Sequence, residues 1–425
     1  MTALFSPTEL ERLSKASALL LQAEDRLPVL STIAWDKSVA ADFFANGEKE
    51  LPRPQYTPID PEPSQALVLA ARQLIDGDSP VHDWLKRFCD MTEATALMLE
   101  AVGTKPFGDY SQTLYGGPTT PVGDHNHTCL DLAKKLDSLL TEFDTASIQL
   151  EPPEILTAEE LKAAMQVQLE EHFGAPTPEI IITDTLSAKA TAGRDYIKLR
   201  KDAHFSDLDV IQLVQHEALV HISTAQNGAR QHLFPILAES HPANARTQEG
   251  LAVFAEYISG ALDPRRFRRL ANRTIAIDMA QNGADFLDVY RFFRENGVSD
   301  VPFEAFESTR RIFRGAVVEG GAPFTKDSVY LGGLIEVHSY LRASVVHSDP
   351  KFIRLLFVGK MDLCDMDAIV LLHSHGLISD PQILPPWAKD LRFLLSYLSY
   401  STFFGNIDLS EVSKRYEPLF ALSDS

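Results

Sequence analysis

Along this chain apolar residues recur mostly at steps of three and four, the period of a helix with one buried face. SPVHDWLKRFCDMTEATALMLEAV is one such run, with Trp84, Leu85, Phe88, Ala94, Leu97 and Leu99 on the repeating positions. Strand-like patterning is confined to one region. PEIIITD (178–184) and TAGRDYIKLR (191–200) are short, β-branched or alternating, as expected of neighbours in a small sheet. Helical patterning returns from Phe205, and from Ser328 it runs to near the end. The expected fold class is therefore α+β, predominantly helical.

Proline supplies the punctuation. LPRPQYTPIDPEPS carries five prolines between Pro52 and Pro63, which favours an extended connector. KPFGDYSQTLYGGPTTPVGDHNHT (105–128) and the Pro152–Pro153 pair mark two further breaks. They suggest an N-terminal helical segment and connector at 1–63, a helical lobe at 64–150 and a third unit at 151–425. At 425 residues the chain can bury a large core without staples, and 45% hydrophobic with 23% charged residues excludes disorder or a fibre as the leading idea.

Cys89, Cys129 and Cys364 are far apart and form no CxxC pair, which points to a reducing compartment or at least to the absence of a disulfide framework. The start lacks a basic stretch followed by an apolar one, and no run approaches the roughly 18 apolar residues of a spanning helix. The expectation is a cytoplasmic protein without a membrane partner. A net charge of −20 opposes binding to nucleic acid. Local exceptions are DPRRFRRLANR (263–273) and RRIFRG (310–315), which are either solvated helix faces or an anion-recognising rim.

SDLDVIQLVQHEALVHIS reads as a helix that begins at Ser206, with Ser206 and Asp209 as a capping-box-like pair. Leu208, Ile211, Val214, Leu219 and Ile222 supply its core side. On so apolar a helix, His216, Glu217 and His221 need an explanation. Zinc takes imidazole and carboxylate ligands, and a catalytic zinc keeps one position open. The HExxxH spacing sets the histidines five apart, ~140° around a regular helix instead of the ~40° of a four-residue step. A π-bulge near 218–220 would restore a common face, and such bulges gather at functional sites. The alternative is a pair of hydrogen-bonded core histidines.

The next helix, TQEGLAVFAEYISG, has Thr247 as its expected N-cap and Gly260 as its stop, with Asp263-Pro264 opening another. Glu249 and Glu256, seven apart, share a face of an otherwise apolar helix. Glu249 either complements the helix N-terminus or is a third metal ligand. Glu256 is either a solvated charge or an acceptor that orients a ligand histidine. Glu217, beside a ligand but pointing elsewhere, suits a general base that takes a proton from the attacking water and hands it to the leaving amine.

HEALVH and TQEGLA together resemble the QEGLA-motif family, the bacterial flavohemoglobin expression-modulating proteins, which is related to the microtubule-associated tyrosine carboxypeptidases. GGAPFTKDSVYLGG (320–333) resembles the glycine-rich stretch of that family. The likeness covers roughly residues 150–400. It implies a zincin-like metallopeptidase fold with the small sheet beside the active-site helix. It also implies one zinc ion carried by His216, His221 and Glu249, with Glu217 as the base. The implied activity is hydrolysis of a peptide bond at a peptide or protein C-terminus, releasing one residue, tyrosine in the name of the related family.

A carboxypeptidase must hold a free carboxylate, for which Arg314 and Lys326 are the candidates, while Tyr330 could donate to the developing oxyanion. TAGRDYIKLR would suit an edge strand that pairs with an extended substrate, and a plain core strand is the alternative. The motif does not fix which chain end is read, so an amino- or endopeptidase is a rival. A regulatory binding protein that keeps its metal for structure alone is another. Two further histidine groups, DHNHTC (124–129) and HSH (373–375), sit in loop-like sequence and are expected to be ordinary turn residues. Oligomeric state is not legible.

Overall fold

The computed structural model describes residues 4–123, 126–142, 155–184, 186, 189–297, 301–347, 349–405, 407–412 and 414. The Pro152–Pro153 break and the 150/151 boundary fall outside them, as do Asp124 and His125 of the DHNHTC group. The fold is α+β with helices predominating and, among the described residues, three small sheets.

Helix α1 (Pro7–Glu24) starts at Ser6, whose side chain accepts from Glu9 N, with Pro7 in the first turn. The Pro-rich connector has no regular structure until α2 (Glu62–Arg72), after which α3 (Pro80–Glu100) carries the long apolar run. The expected break at 105–128 is only partly one, because Lys105–Tyr115 forms α4. Pro106 lies in its first turn, where its missing N–H costs nothing. Gly108 presses on Ala322 so closely that a Cβ would lie 2.6 Å away.

α5 (Ala158–Phe173) follows, with a Thr157–Glu160 capping box. The three-stranded sheet is β1 (Glu179–Thr183), β2 (Ala190–Ala192) and β3 (Tyr196–Arg200), in the order β1-β3-β2. β1 and β3 are parallel with Ile180 opposite Ile197, while β2 is antiparallel to β3 with Ala192 opposite Ile197. TAGRDYIKLR is thus two strands and not one. The chain turns at Gly193, whose N–H donates to Tyr196 O, and β2 is left at the edge.

The helix 207–229, α6, lies against this sheet and α5, and their common core includes Leu161, Met165, Ile180, Ile197, Leu199, Val210, Leu213 and Val214. Its capping box is the expected one: Asp209 N donates to Ser206 Oγ at 3.2 Å, and Ser206 N to Asp209 Oδ2 at 2.8 Å. Ile211, expected in the core, is 36% exposed. Val210 and Leu213 take the inward positions instead.

α7 (Pro242–Ile258) crosses α6 and packs along α11 (Val329–Val346). Between them run α8 (Pro264–Gln281), α9 (Phe286–Asn296) and α10 (Pro302–Phe313), and α12 (Arg392–Phe404) follows toward the C-terminus. A large core cluster draws residues from α1, α2, α3, α7, α11 and α12, and a separate aromatic one joins Trp35 and Phe43 to Phe286, Phe306 and Phe313. Cys89 and Cys129 are free and buried, whereas Cys364 is free and exposed. Among the described residues no helix is long and apolar enough to cross a membrane.

Candidate metal centre and cleft

The i to i+5 histidine spacing is accommodated by a π-helical stretch over Val214–Ile222, wider than a single bulge at 218–220. In that stretch the turn widens, and residues five apart return to one face. His216 and His221 consequently meet, with ring centroids 4.9 Å apart and ring planes at 82°.

Thr247 is not the N-cap of α7. The helix begins more than a turn earlier at Pro242, where His241 Nδ1 accepts from Ala243 N at 3.1 Å and Asn244 Oδ1 accepts from His241 N at 3.2 Å. Thr247 lies within the helix, where its hydroxyl donates to Asp362 Oδ2 and accepts from Leu363 N. Glu249 is therefore two turns inside the helix, and the reading of it as a partner for the helix N-terminus falls away. Gly260, at φ +78°, does follow the end of α7, and Asp263 caps α8 by accepting from Arg266 N.

Glu249 Oε2 lies 3.4 Å from His216 Nε2 and 3.7 Å from His221 Nε2. One ligand atom from each of the three residues falls within 4.8 Å of the other two. Glu249 Oε2 is buried without a hydrogen-bond partner among the described residues. A buried carboxylate oxygen facing two imidazole nitrogens with no donor between them fits a divalent cation.

Behind His216 the bonding is complete. Its Nδ1 lies 2.7 Å from Glu256 Oε1, and Arg266 donates to both Glu256 oxygens at 2.9 Å. Burial works to raise the Glu256 carboxyl, but Arg266 and His216 outweigh it and hold it down at about 2. With an ionised acceptor on Nδ1, the proton sits there and Nε2 keeps its lone pair. Burial pushes His221 toward its neutral form. For His216 burial acts the same way, yet Glu249 and Glu256 raise it well above the usual imidazole range. A proton and a metal ion compete for such a nitrogen.

These residues open onto a cavity of about 420 Å³ lined also by Glu217, Gln248, the edge strand β2, Arg310, Arg311, Arg314, Lys326, Tyr330 and Lys360. Glu217 lines the cavity beside the two imidazoles. All three sequence-chosen candidates for substrate contact, Arg314, Lys326 and Tyr330, are on the wall. Lys326 Nζ is 3.1 Å from Glu249 Oε1 and 5.7 Å from the Tyr330 ring centroid.

Arg265 is exposed, but the other arginines of the two clusters are buried or half-buried. Arg311 grips Asp327 at 2.7 and 2.9 Å, Arg273 approaches the same carboxylate at 3.6 Å, and Arg310 pairs with Glu307. Arg314 is 8% exposed with Nε unpartnered among the described residues; burial lowers it to about 10, so it remains a cation at neutral pH. Its loop is braced by the Pro-rich connector, because Gly315 N donates to Tyr56 Oη at 2.8 Å.

Sequence reasoning missed Lys360, buried on the wall with Nζ 2.5 Å from Ser240 Oγ and lowered by burial to about 8. It also missed Gln248, whose neighbour in the motif drew the attention, and the Asp327–Arg311 pair. The HSH histidines lie away from the cavity lining, with His373 paired to Asp380 at 2.9 Å.

Comparison with curated proteins returns no match. Over residues 41–406, most of its length, the sequence matches the family described as microtubule-associated tyrosine carboxypeptidase, and the chain belongs to that family.

Proposed function

We propose that the protein is a zinc-dependent carboxypeptidase of zincin-like fold that removes one residue from the C-terminus of a peptide or protein. The observation that carries this reading is the meeting of His216 Nε2, His221 Nε2 and Glu249 Oε2, the last buried and unbonded among the described residues, at the wall of a cation-lined cavity. His216, His221 and Glu249 hold the ion. Among the described residues the cluster has three members, which supports an open coordination position and so catalysis instead of a closed structural site. A bound zinc supplies Lewis-acid polarisation of the scissile carbonyl.

The chain's own residues do the rest. Arg314, the buried cation whose Nε is free among the described residues, receives the terminal carboxylate of the substrate. Edge strand β2 pairs with the extended substrate backbone, which fits its position on the cavity wall. Glu217 accepts a proton from the attacking water and returns it to the amine nitrogen as the peptide C–N bond breaks. Tyr330 donates its hydroxyl to the oxygen on which negative charge develops. The name of the family points to a terminal tyrosine and to tubulin as one substrate to include in a screen.

The test is incubation of the zinc-loaded protein, beside a Glu217→Gln variant, with a mixed peptide library read by mass spectrometry. Loss of single C-terminal residues by wild type, at least ~10³-fold slower in the variant and absent for C-terminally amidated peptides, is the expected result. Internal cuts or N-terminal trimming would move the assignment to an endo- or aminopeptidase, and no cleavage with full zinc occupancy would favour a regulatory binder.

A further inference from the structure

Glu249 gives its two oxygens to different neighbours. Oε2 faces the two imidazole nitrogens, while Oε1 accepts from Lys326 Nζ at 3.1 Å. Lys326 is itself held. It opens the short 3₁₀ turn Lys326–Ser328 at the foot of α11, and the adjoining Asp327 is clamped by the two bonds from Arg311.

A carboxylate can offer a divalent ion one oxygen or both. An ammonium on Oε1 occupies a lone pair of that atom and repels a cation that would approach it. We propose that Lys326 is a positioning residue that restricts Glu249 to coordination through Oε2 and so preserves the open position on the metal. The proposal rests on the zinc reading given above. It reassigns a lysine that the sequence offered as an anchor for the substrate carboxylate, a task that falls to Arg314.

Cobalt(II) in place of zinc tests this, because the coordination geometry sets the visible spectrum. Wild type is expected to take up one cobalt per chain with a four-coordinate spectrum. Lys326→Met and Lys326→Gln are expected to keep that stoichiometry while the visible bands weaken roughly two-fold, the mark of a second carboxylate oxygen joining the ion. In the zinc forms, kcat for a cleavable peptide should fall roughly 10–100-fold with little change in KM, and Lys326→Arg should restore the wild-type spectrum. A wild-type spectrum in both uncharged variants overturns the proposal, and a rise in KM alone would make the lysine a substrate anchor. Loss of cobalt from variants that melt as wild type does would also overturn it. Failure of the wild-type protein to bind cobalt or zinc at all overturns the zinc reading itself.

Discussion

The bond made by the other ring nitrogen orients a metal-binding histidine, and in the proposed site one of the two is held in this way. His216 is fixed through Glu256 to Arg266, whereas His221 Nδ1 is buried without a partner among the described residues. Replacing Glu256 by Gln leaves the packing nearly unchanged but removes the ionised acceptor. Zinc affinity, measured by competition with a chromophoric chelator, is expected to fall roughly 10–100-fold. An unchanged affinity would mean that the tautomer of His216 is set by something else. The residues nearest the motif were readable because their chemistry was out of place on apolar helices. Arg266 was visible only as one member of the 263–273 cluster and Lys360 not at all, since an Arg or Lys in a sequence reads as a surface charge until the fold buries it.

Beside the candidate metal centre α7 packs along α11, and their closeness depends on glycine. A Cβ on Gly250 would lie 2.2 Å from Gly333 C, and one on Gly333 would lie 2.1 Å from Arg246 O. The glycine of the QEGLA run therefore serves the contact of α7 with α11, directly beside Glu249, the proposed ligand. Gly250→Ala should force the helices apart and destabilise the fold by about 1–3 kcal/mol, read from the denaturation midpoint, with weakened zinc binding. Stability equal to wild type would show that the crossing can relax. Element identity was largely legible from periodicity, as in α3 and α6. Boundaries were less so: α7 starts at Pro242 because His241 and Asn244 form a cap that an Asn and a His only hint at. TAGRDYIKLR broke into two strands because alternation cannot distinguish a straight strand from a tight hairpin.

At the scale of the molecule, the N-terminal helix is tied to the interior by a carboxylate. Glu24 on α1 accepts from Thr92 Oγ1 on α3 at 2.7 Å, and burial pushes its carboxyl up to about 7. A carboxyl raised in the folded state stabilises most below its unfolded value of about 4.5, and that contribution is lost as pH climbs toward 7. Glu24→Gln should thus be nearly neutral at pH 4.5 and more stable than wild type at pH 8, by of the order of 2 kcal/mol. Equal melting temperatures at both pH values would show that Glu24 is better solvated than its surroundings imply.

The charge of the whole chain, −20, gave no hint that its arginines gather round one cavity, because net charge is silent about placement. What joins the two halves of the account is the single ion proposed at the convergence of α6 and α7. Anomalous diffraction at the zinc edge, on crystals grown with zinc, tests that most directly. The account predicts one peak about 2.0–2.2 Å from His216 Nε2, His221 Nε2 and Glu249 Oε2, with no fourth protein ligand. A peak elsewhere, or none at this site, would contradict it.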